Sequence, residues 1–507
     1  MDNRSGNKKI AKNTITLYIR MGITMIITFL TTRVTLEILG IEDYGLNNLV
    51  ASFVSLFSFI NGSMGTAVQR FYSIEIGKND EKNLSRVFGT GMYLHLIVAI
   101  ITLLIAEIFA IFFLHKLNIP PERIFAAQVV FHISTISLVI NILNVPYSAL
   151  LKAREEFSRI AVLDIIQAFL RLGVLYLLYT INYDKLIVLS VLNFGVTLFY
   201  VISITLISRK YRETKFQIIR DKEYVKRMLN FVTLLLFTVL VSLVNKQGIV
   251  ILVNLFFGLA INAAYAIASQ VSHMIETFAM NFKQSVVPQL MQSYGANDMA
   301  RMNGLMFLGT KITFLLMMFI SIPIIFEVKY ILNIWLKAPP EYASIFTILL
   351  VISVNINVFS YFVYQGVHAS GKIKKQQVLT SVSYLLSFLF VYIAFKLKGN
   401  FYYAGYIPIV FSIVRNIIII FSAKETINFN VKYYIKQVII PCLVLVVLLS
   451  MGSAVVISFF NVSIYRLLFV FGLNCILTVA LGYYSLLTRE ERKMLLGLFK
   501  INKDSRV

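Results

Sequence analysis

Fourteen apolar stretches, most of them longer than the ~20 residues needed to cross the hydrocarbon of a bilayer, leave this chain very few ways to fold. In lipid, backbone N–H and C=O groups find no water, so a crossing segment satisfies them internally as an α-helix. The stretches run approximately over 12–39, 44–76, 84–114, 122–151, 157–181, 185–208, 228–257, 260–293, 302–326, 341–369, 377–396, 402–422, 434–459 and 464–487. The expectation is an all-α polytopic membrane protein of about 14 transmembrane helices, the longer ones tilted or projecting into water. A mean hydropathy of +0.79 with only 14% charged residues excludes a soluble domain of this length.

The formal net charge of +23 would suggest nucleic acid in a soluble protein, but here the basic residues gather in short loops between spans. With the N-terminus inside, 31 Lys and Arg fall on cytoplasmic segments and eight on the opposite loops. That asymmetry places both termini in the cytoplasm. The densest run, in 209–227, lies against an anionic inner leaflet and is not expected to bind nucleic acid. The basic start leads into an apolar run too long for a cleavable signal and without a small-residue cleavage site. Cys442 and Cys475 each sit in an apolar stretch and read as small core residues.

A shift of 218 residues, without gaps, superimposes two halves. Gly40 falls on Gly258, each in the short turn after the first span of its half, and Gly77-Lys78-Asn79-Asp80 falls on Gly295-Ala296-Asn297-Asp298. Six spans per half give a parallel repeat about an axis along the membrane normal. The expected organisation is a six-helix bundle in 1–208, a basic linker in 209–227, a second bundle in 228–430, and two extra helices with a basic tail in 431–507.

Eight cations interrupt these apolar spans: Arg20, Arg33, Arg70, Arg171, Lys246, Lys283, Lys311 and Arg415. Each costs about 2.5–3.5 kcal/mol at the centre of a membrane helix. Such charges face a wet cavity or a partner, and a cavity this basic suits an anionic cargo. Arg33 has Glu37 four residues on, so it is either half of a local ion pair or a cavity residue. Arg20 has no acidic residue within a turn and is the stronger cavity candidate.

Asp164, Gln167 and Arg171 form one polar stripe at i, i+3 and i+7, either an interhelical clamp or a cavity lining. Lys246 lies mid-span between Asn245 and Gln247, and Arg415 is deep in its span, where neither reaches the interface easily. Arg70 and Lys283 sit near span ends at nearly equivalent repeat positions, where snorkelling explains them as well as function does. His273 and Glu276 either share a proton in a coupling step or form an interhelical pair, and Glu107 is a further acidic candidate. Tyr361, Tyr364, Gln365 and His368 either line a sugar surface or anchor at the interface.

No P-loop, zinc-type spacing or nucleophile elbow occurs, so neither an enzyme nor a bound cofactor or metal is expected.

Several stretches resemble polysaccharide-transport flippases of the Wzx type. They are Tyr18-Ile19-Arg20-Met21, then Thr32-Arg33 through to Leu39-Gly40-Ile41-Glu42-Asp43-Tyr44-Gly45-Leu46, Phe57-Ser58-Phe59-Ile60-Asn61-Gly62, and Gln69-Arg70-Phe71. Asn144-Val145-Pro146-Tyr147-Ser148-Ala149-Leu150 and Asn254-Leu255-Phe256-Phe257-Gly258 are similar too, and the resemblance thins after about 430. That family sits in the superfamily that also holds multidrug and toxin extruders and the lipid II flippase. The resemblance implies a V-shaped, MATE-like pair of bundles around a cavity. Its implied cargo is an undecaprenyl-diphosphate-linked oligosaccharide, moved to the periplasmic leaflet of the bacterial cytoplasmic (inner) membrane for surface polysaccharide such as O-antigen. Membrane lipids, a polysaccharide polymerase and a chain-length regulator are the implied partners. Arg20, Arg33 and Arg70 occupy motif positions for the cargo's charge; Lys246 and Lys283 match by region only.

Two other readings stay open. A cation-coupled drug exporter on the same scaffold would want an acidic interior, whereas eight basic residues face about five acidic ones here (Glu37, Glu75, Glu107, Asp164, Glu276). A membrane polymerase or ligase would want a sizeable loop on the far side, and about fourteen residues near 327–340 are the most on offer.

Overall fold

The computed structural model describes the backbone of residues 3–55, 58–113, 120–214, 222–336, 339–489 and 491–492, and no β-strand occurs among them. Lys215 and Arg220 of the basic segment lie outside the described residues. Helix α1 (3–39) and the start of α2 (41–55) form one continuous stretch bent at Gly40, and α2 resumes over Ser58–Gly77. Then follow α3 (Glu81–Phe113), α4 (Ile124–Ala153), α5 (Phe157–Leu177) and α6 (Lys185–Ser208). A second continuous stretch, Lys222–Gly295, bends at Gly258 into α7 (222–257) and α8 (259–295). Helix α9 is Met299–Leu336, α10 is Ala343–Ile356 continued over Val358–Ser370, α11 is Lys374–Lys396 and α12 is Tyr403–Ile427. Two further helices close the chain: α13, whose main length is Ile440–Phe459, and α14 (Ile464–Leu481).

Eleven of these stretches are long and apolar enough to cross a membrane among the described residues. Helices α1, α2 and α8 are not among those eleven. Much of the outer surface is apolar; Leu255, Phe459 and Tyr465 are among the most exposed side chains. In water such patches would be an association hazard, whereas lipid accepts them. The chain is a multi-pass membrane protein.

The repeat is written into the backbone. Gly40 has φ 75° and ψ 175°, and Gly258 has φ 81° and ψ −175°. Only glycine adopts that region at little cost. These are sharp bends within a helical stretch, where the sequence suggests loop turns. The second repeated motif is a Schellman ending. Asp80 N–H donates to Glu75 O and Asn79 N–H to Ile76 O, and Asp298 and Asn297 donate likewise to Ser293 O and Tyr294 O. Asn79 and Asn297 take the left-handed conformation, φ 56° and 57°, that this ending requires. Each aspartate then caps the next helix, Asp80 Oδ1 accepting from Asn83 N–H and Asp298 Oδ1 from Arg301 N–H.

The structure divides into two compact units, Lys12–Leu236 and Phe237–Val507 with Met1–Ala11. The division falls inside α7, beyond the basic segment 209–227. The first unit packs small and branched residues such as Ala106, Ala127, Val130 and Leu186 between its helices. Its α4–α5 turn is clasped: Arg154 reaches Glu213, while Glu156 accepts from Lys210 and Tyr211. Burial pushes the Glu156 carboxyl up, but those donors outweigh it and hold the group below its ordinary range. The second unit centres on Val253, Ala264, Ala268, Phe346, Val391 and Ala404.

Within the second unit, α14 and the segment after it meet α9 through polar contacts at three levels. Arg466 makes two bonds to Glu327, of 2.6 and 2.7 Å. Lys311 Nζ meets both oxygens of Glu491, at 3.0 and 2.7 Å. Between them Asn474 Nδ2 donates to Phe319 O at 3.1 Å. That carbonyl is the one Pro323, four residues on, cannot bond, because proline has no N–H.

Candidate functional site

In the first unit Arg20 of α1 points across the bundle at α5. Its Nη1 lies 2.8 Å from Asp164 Oδ2, and Tyr200 of α6 donates to Asp164 Oδ1 at 2.9 Å. The expected isolation of Arg20 holds along its own helix only, since Asp164 supplies the carboxylate from elsewhere. Asp164 is half-buried, while Arg171, two turns on along α5, is exposed. The side chain of Arg33 lies outside the described residues, so its pairing with Glu37 is not among the contacts. Tyr179 lies beside Glu37. Glu107 meets His132 of α4 at 3.1 Å.

Arg70 is buried, with its guanidinium 4.9 Å from the Phe71 ring centre and 4.8 Å from that of Phe231. Stacking between two aromatic faces suits a guanidinium, whose planar charge is weakly hydrated.

In the second unit three cations occupy three helices. Lys246 of α7 is exposed, and its neighbour Asn245 is buried, donating to Tyr384 O of α11 at 2.8 Å. Lys283 of α8 is 5% exposed, with its ammonium 4.5 Å from the Tyr361 ring centre. Arg415 of α12 donates to Ser412 Oγ at 2.7 Å and sits 4.3 Å over the Tyr384 ring. Its Nη1 is buried with no hydrogen-bond partner among the described residues. None of the three forms an ion pair with a carboxylate among the described residues. Glu276, two turns before Lys283 on α8, is the acidic group whose charge Lys283 feels. His273 bonds Thr277 Oγ1 at 3.1 Å, rather than Glu276, three residues away.

Around these cations the interior is unusually polar. Gln377 Nε2 reaches Tyr364 OH at 2.9 Å and His368 Nε2 at 2.8 Å. Buried oxygens of Gln365, Gln376, Gln377, Ser383 and Ser387 have no partner among the described residues. An unsatisfied buried polar group costs about 1–3 kcal/mol, so a cluster of them marks a region suited to water or a polar ligand. Tyr361, Tyr364, Gln365 and His368 belong to this region, and Tyr361 bears directly on Lys283. Cys442 and Cys475 are free thiols. No three His, Cys, Asp or Glu side chains come together as a metal site among the described residues.

Three strong pairs escaped the sequence reading. Lys311, one of the eight embedded cations, is neutralised by Glu491 near the chain end. Arg466 and Arg123, each near the start of its span, are both engaged. Arg123 binds Asp43 through two bonds and Asp184 at 2.6 Å, tying the starts of α2, α4 and α6 together. Asp184, the helix cap before α6, carried the one local signal.

A family model described as MatE matches residues 14–177. No curated protein matches. Among solved structures, a mutant MATE aligns with a TM-score of 0.70 at 14% identity, covering 86% of this chain and 99% of its own. An outward-facing multidrug resistance MATE family transporter of the MOP superfamily aligns at 0.70 and 11% identity, covering 84% and 98%. A MOP superfamily transporter from Pyrococcus furiosus, described as having a binding pocket of reverse polarity, aligns at 0.67 and 14%, covering 84% and 98%. The chain has the MATE transporter fold.

Proposed function

We propose that this protein is a MOP superfamily transporter that carries a polyprenyl-diphosphate-linked oligosaccharide from the cytoplasmic to the periplasmic leaflet by alternating access. One observation carries the reading: Lys246, Lys283 and Arg415 lie within apolar helices and form no ion pair among the described residues. Lys283 and Arg415 have aromatic faces and a hydroxyl beside them, and Lys246 is exposed, which leaves the positive charge available to an anion. A diphosphate bears about two negative charges, and charge-assisted bonds to guanidinium and ammonium groups are its natural recognition. The unpartnered amides and hydroxyls nearby suit sugar hydroxyls, while the prenyl tail stays in lipid. The reversed pocket polarity ascribed to the Pyrococcus furiosus transporter supports a scaffold able to change the sign of its cargo.

Arg20, by contrast, serves in this reading as half of a structural pair with Asp164. In this reading the loop charges put both termini inside, the flippase resemblance supplies the bacterial cytoplasmic membrane, and a polymerase and chain-length regulator would act on the delivered glycan.

A multidrug exporter is the second reading, favoured by the MatE match and by the multidrug transporter among the similar structures. Against it, two of the acidic candidates are engaged, Asp164 with Arg20 and Glu107 with His132. The test is a leaflet-resolved assay in proteoliposomes. Lys246→Gln combined with Lys283→Gln should cut glycolipid translocation at least tenfold with the amount of folded protein unchanged. Undiminished translocation rejects the assignment, and efflux of a cationic dye by the unaltered protein supports the exporter.

A further inference from the structure

The first unit also contains a groove that none of the transport chemistry uses. It lies between α3 and the beginning of α7, has a volume of about 380 Å³, and is lined by Tyr93, Lys222, Val225, Lys226, Leu229 and Asn230. Lys222, Lys226 and Asn230 follow one another at i, i+4 and i+8, so they form one row along α7. Val225 and Leu229 form an apolar row beside it, and Tyr93 stands opposite on α3. Neighbours at i and i+4 hold their Cβ atoms roughly 5–6 Å apart, a spacing at which one phosphate meets both ammonium groups. Neither lysine has an ion-pair partner among the described residues, although the adjacent Arg227 is paired with Glu223. Asn230 is two turns further along the helix, roughly 12 Å from Lys222.

We infer that this groove is a binding site for the headgroup of an anionic phospholipid. The phosphate sits between Lys222 and Lys226, Tyr93 and Asn230 bond the headgroup and ester oxygens, and the acyl root lies along Val225 and Leu229. Polar and apolar rows side by side at a helix end match a molecule with a charged head and a greasy stem. A soluble phosphate would leave the apolar row unused. A phospholipid held here ties the start of α7 to α3, on a helix that begins in the first unit and ends in the second.

Native mass spectrometry of the full chain in detergent tests the site, with phosphatidylglycerol, phosphatidylcholine and inorganic phosphate as probes. Phosphatidylglycerol should be retained in preference to phosphatidylcholine. Lys222→Gln with Lys226→Gln should weaken that retention by roughly thirtyfold, two surface cations having been removed. Lys372→Gln with Lys374→Gln, the same charge change on exposed residues of the other unit, should leave it unaltered. Leu229→Trp, which fills the apolar row without touching charge, should also displace the lipid. Equal retention by the Lys222/Lys226 variant, or by both pairs of substitutions, overturns the site. Displacement of the lipid by millimolar inorganic phosphate overturns the phospholipid assignment in favour of a soluble phosphate.

Discussion

The embedded cations divide by what they touch. Arg20 has a carboxylate at 2.8 Å, Lys311 has one at 2.7 Å, and Arg70, Lys283 and Arg415 have aromatic rings. A cation with a carboxylate partner is a structural tie, and its loss strands the partner's charge. Arg20→Gln and Asp164→Asn should therefore each lower stability by about 2 kcal/mol. The double replacement should recover part of that loss, read by thermal unfolding in detergent; strictly additive losses would show that the two do not interact. The amino-acid order gives the polar stripe Asp164, Gln167 and Arg171 as a single face, but it does not say how α5 is rotated. Arg20 and Asp164 are 144 residues apart, and only packing brings them together. The mid-span Lys246 needed no such knowledge, because no interface lies within its reach.

Among the elements, the two bends are the features most plainly visible beforehand. Gly40 and Gly258 coincide under a shift of 218 residues, as do the Asn-Asp endings, because glycine, asparagine and aspartate each answer a backbone demand that few other residues meet. The kind of bend was not visible, since a loop turn and a kink within a helix both ask for glycine. At both sites a Cβ would meet nothing within 4 Å, so the cost of adding one is purely conformational. Gly40→Ala and Gly258→Ala should each destabilise by about 1–3 kcal/mol, with similar losses at the two sites in chemical or thermal unfolding. A loss at one site only would mean that the two bends are not equivalent under load.

For the molecule as a whole, the resemblance to flippases thins after about 430, yet α14 and the segment after it are bound to α9 by charge pairs. Glu327 is 2% exposed and its only counter-ion among the described residues is Arg466. Arg466→Met alone should cost about 3–5 kcal/mol by leaving that carboxylate unpaired, whereas Arg466→Met with Glu327→Leu should be close to neutral. Expression level and thermal midpoint distinguish the two, and an equally damaged double variant would refute the argument. The tie also has a bearing on how the chain is made. Glu327 waits 139 residues for Arg466, and Lys311 waits 180 for Glu491. At ribosomal speed those intervals last roughly 7–36 seconds. Throughout that time a nascent α9 carries two charges with no counter-ion, so whatever escorts it into the bilayer must shelter it until Arg466 and Glu491 have been added.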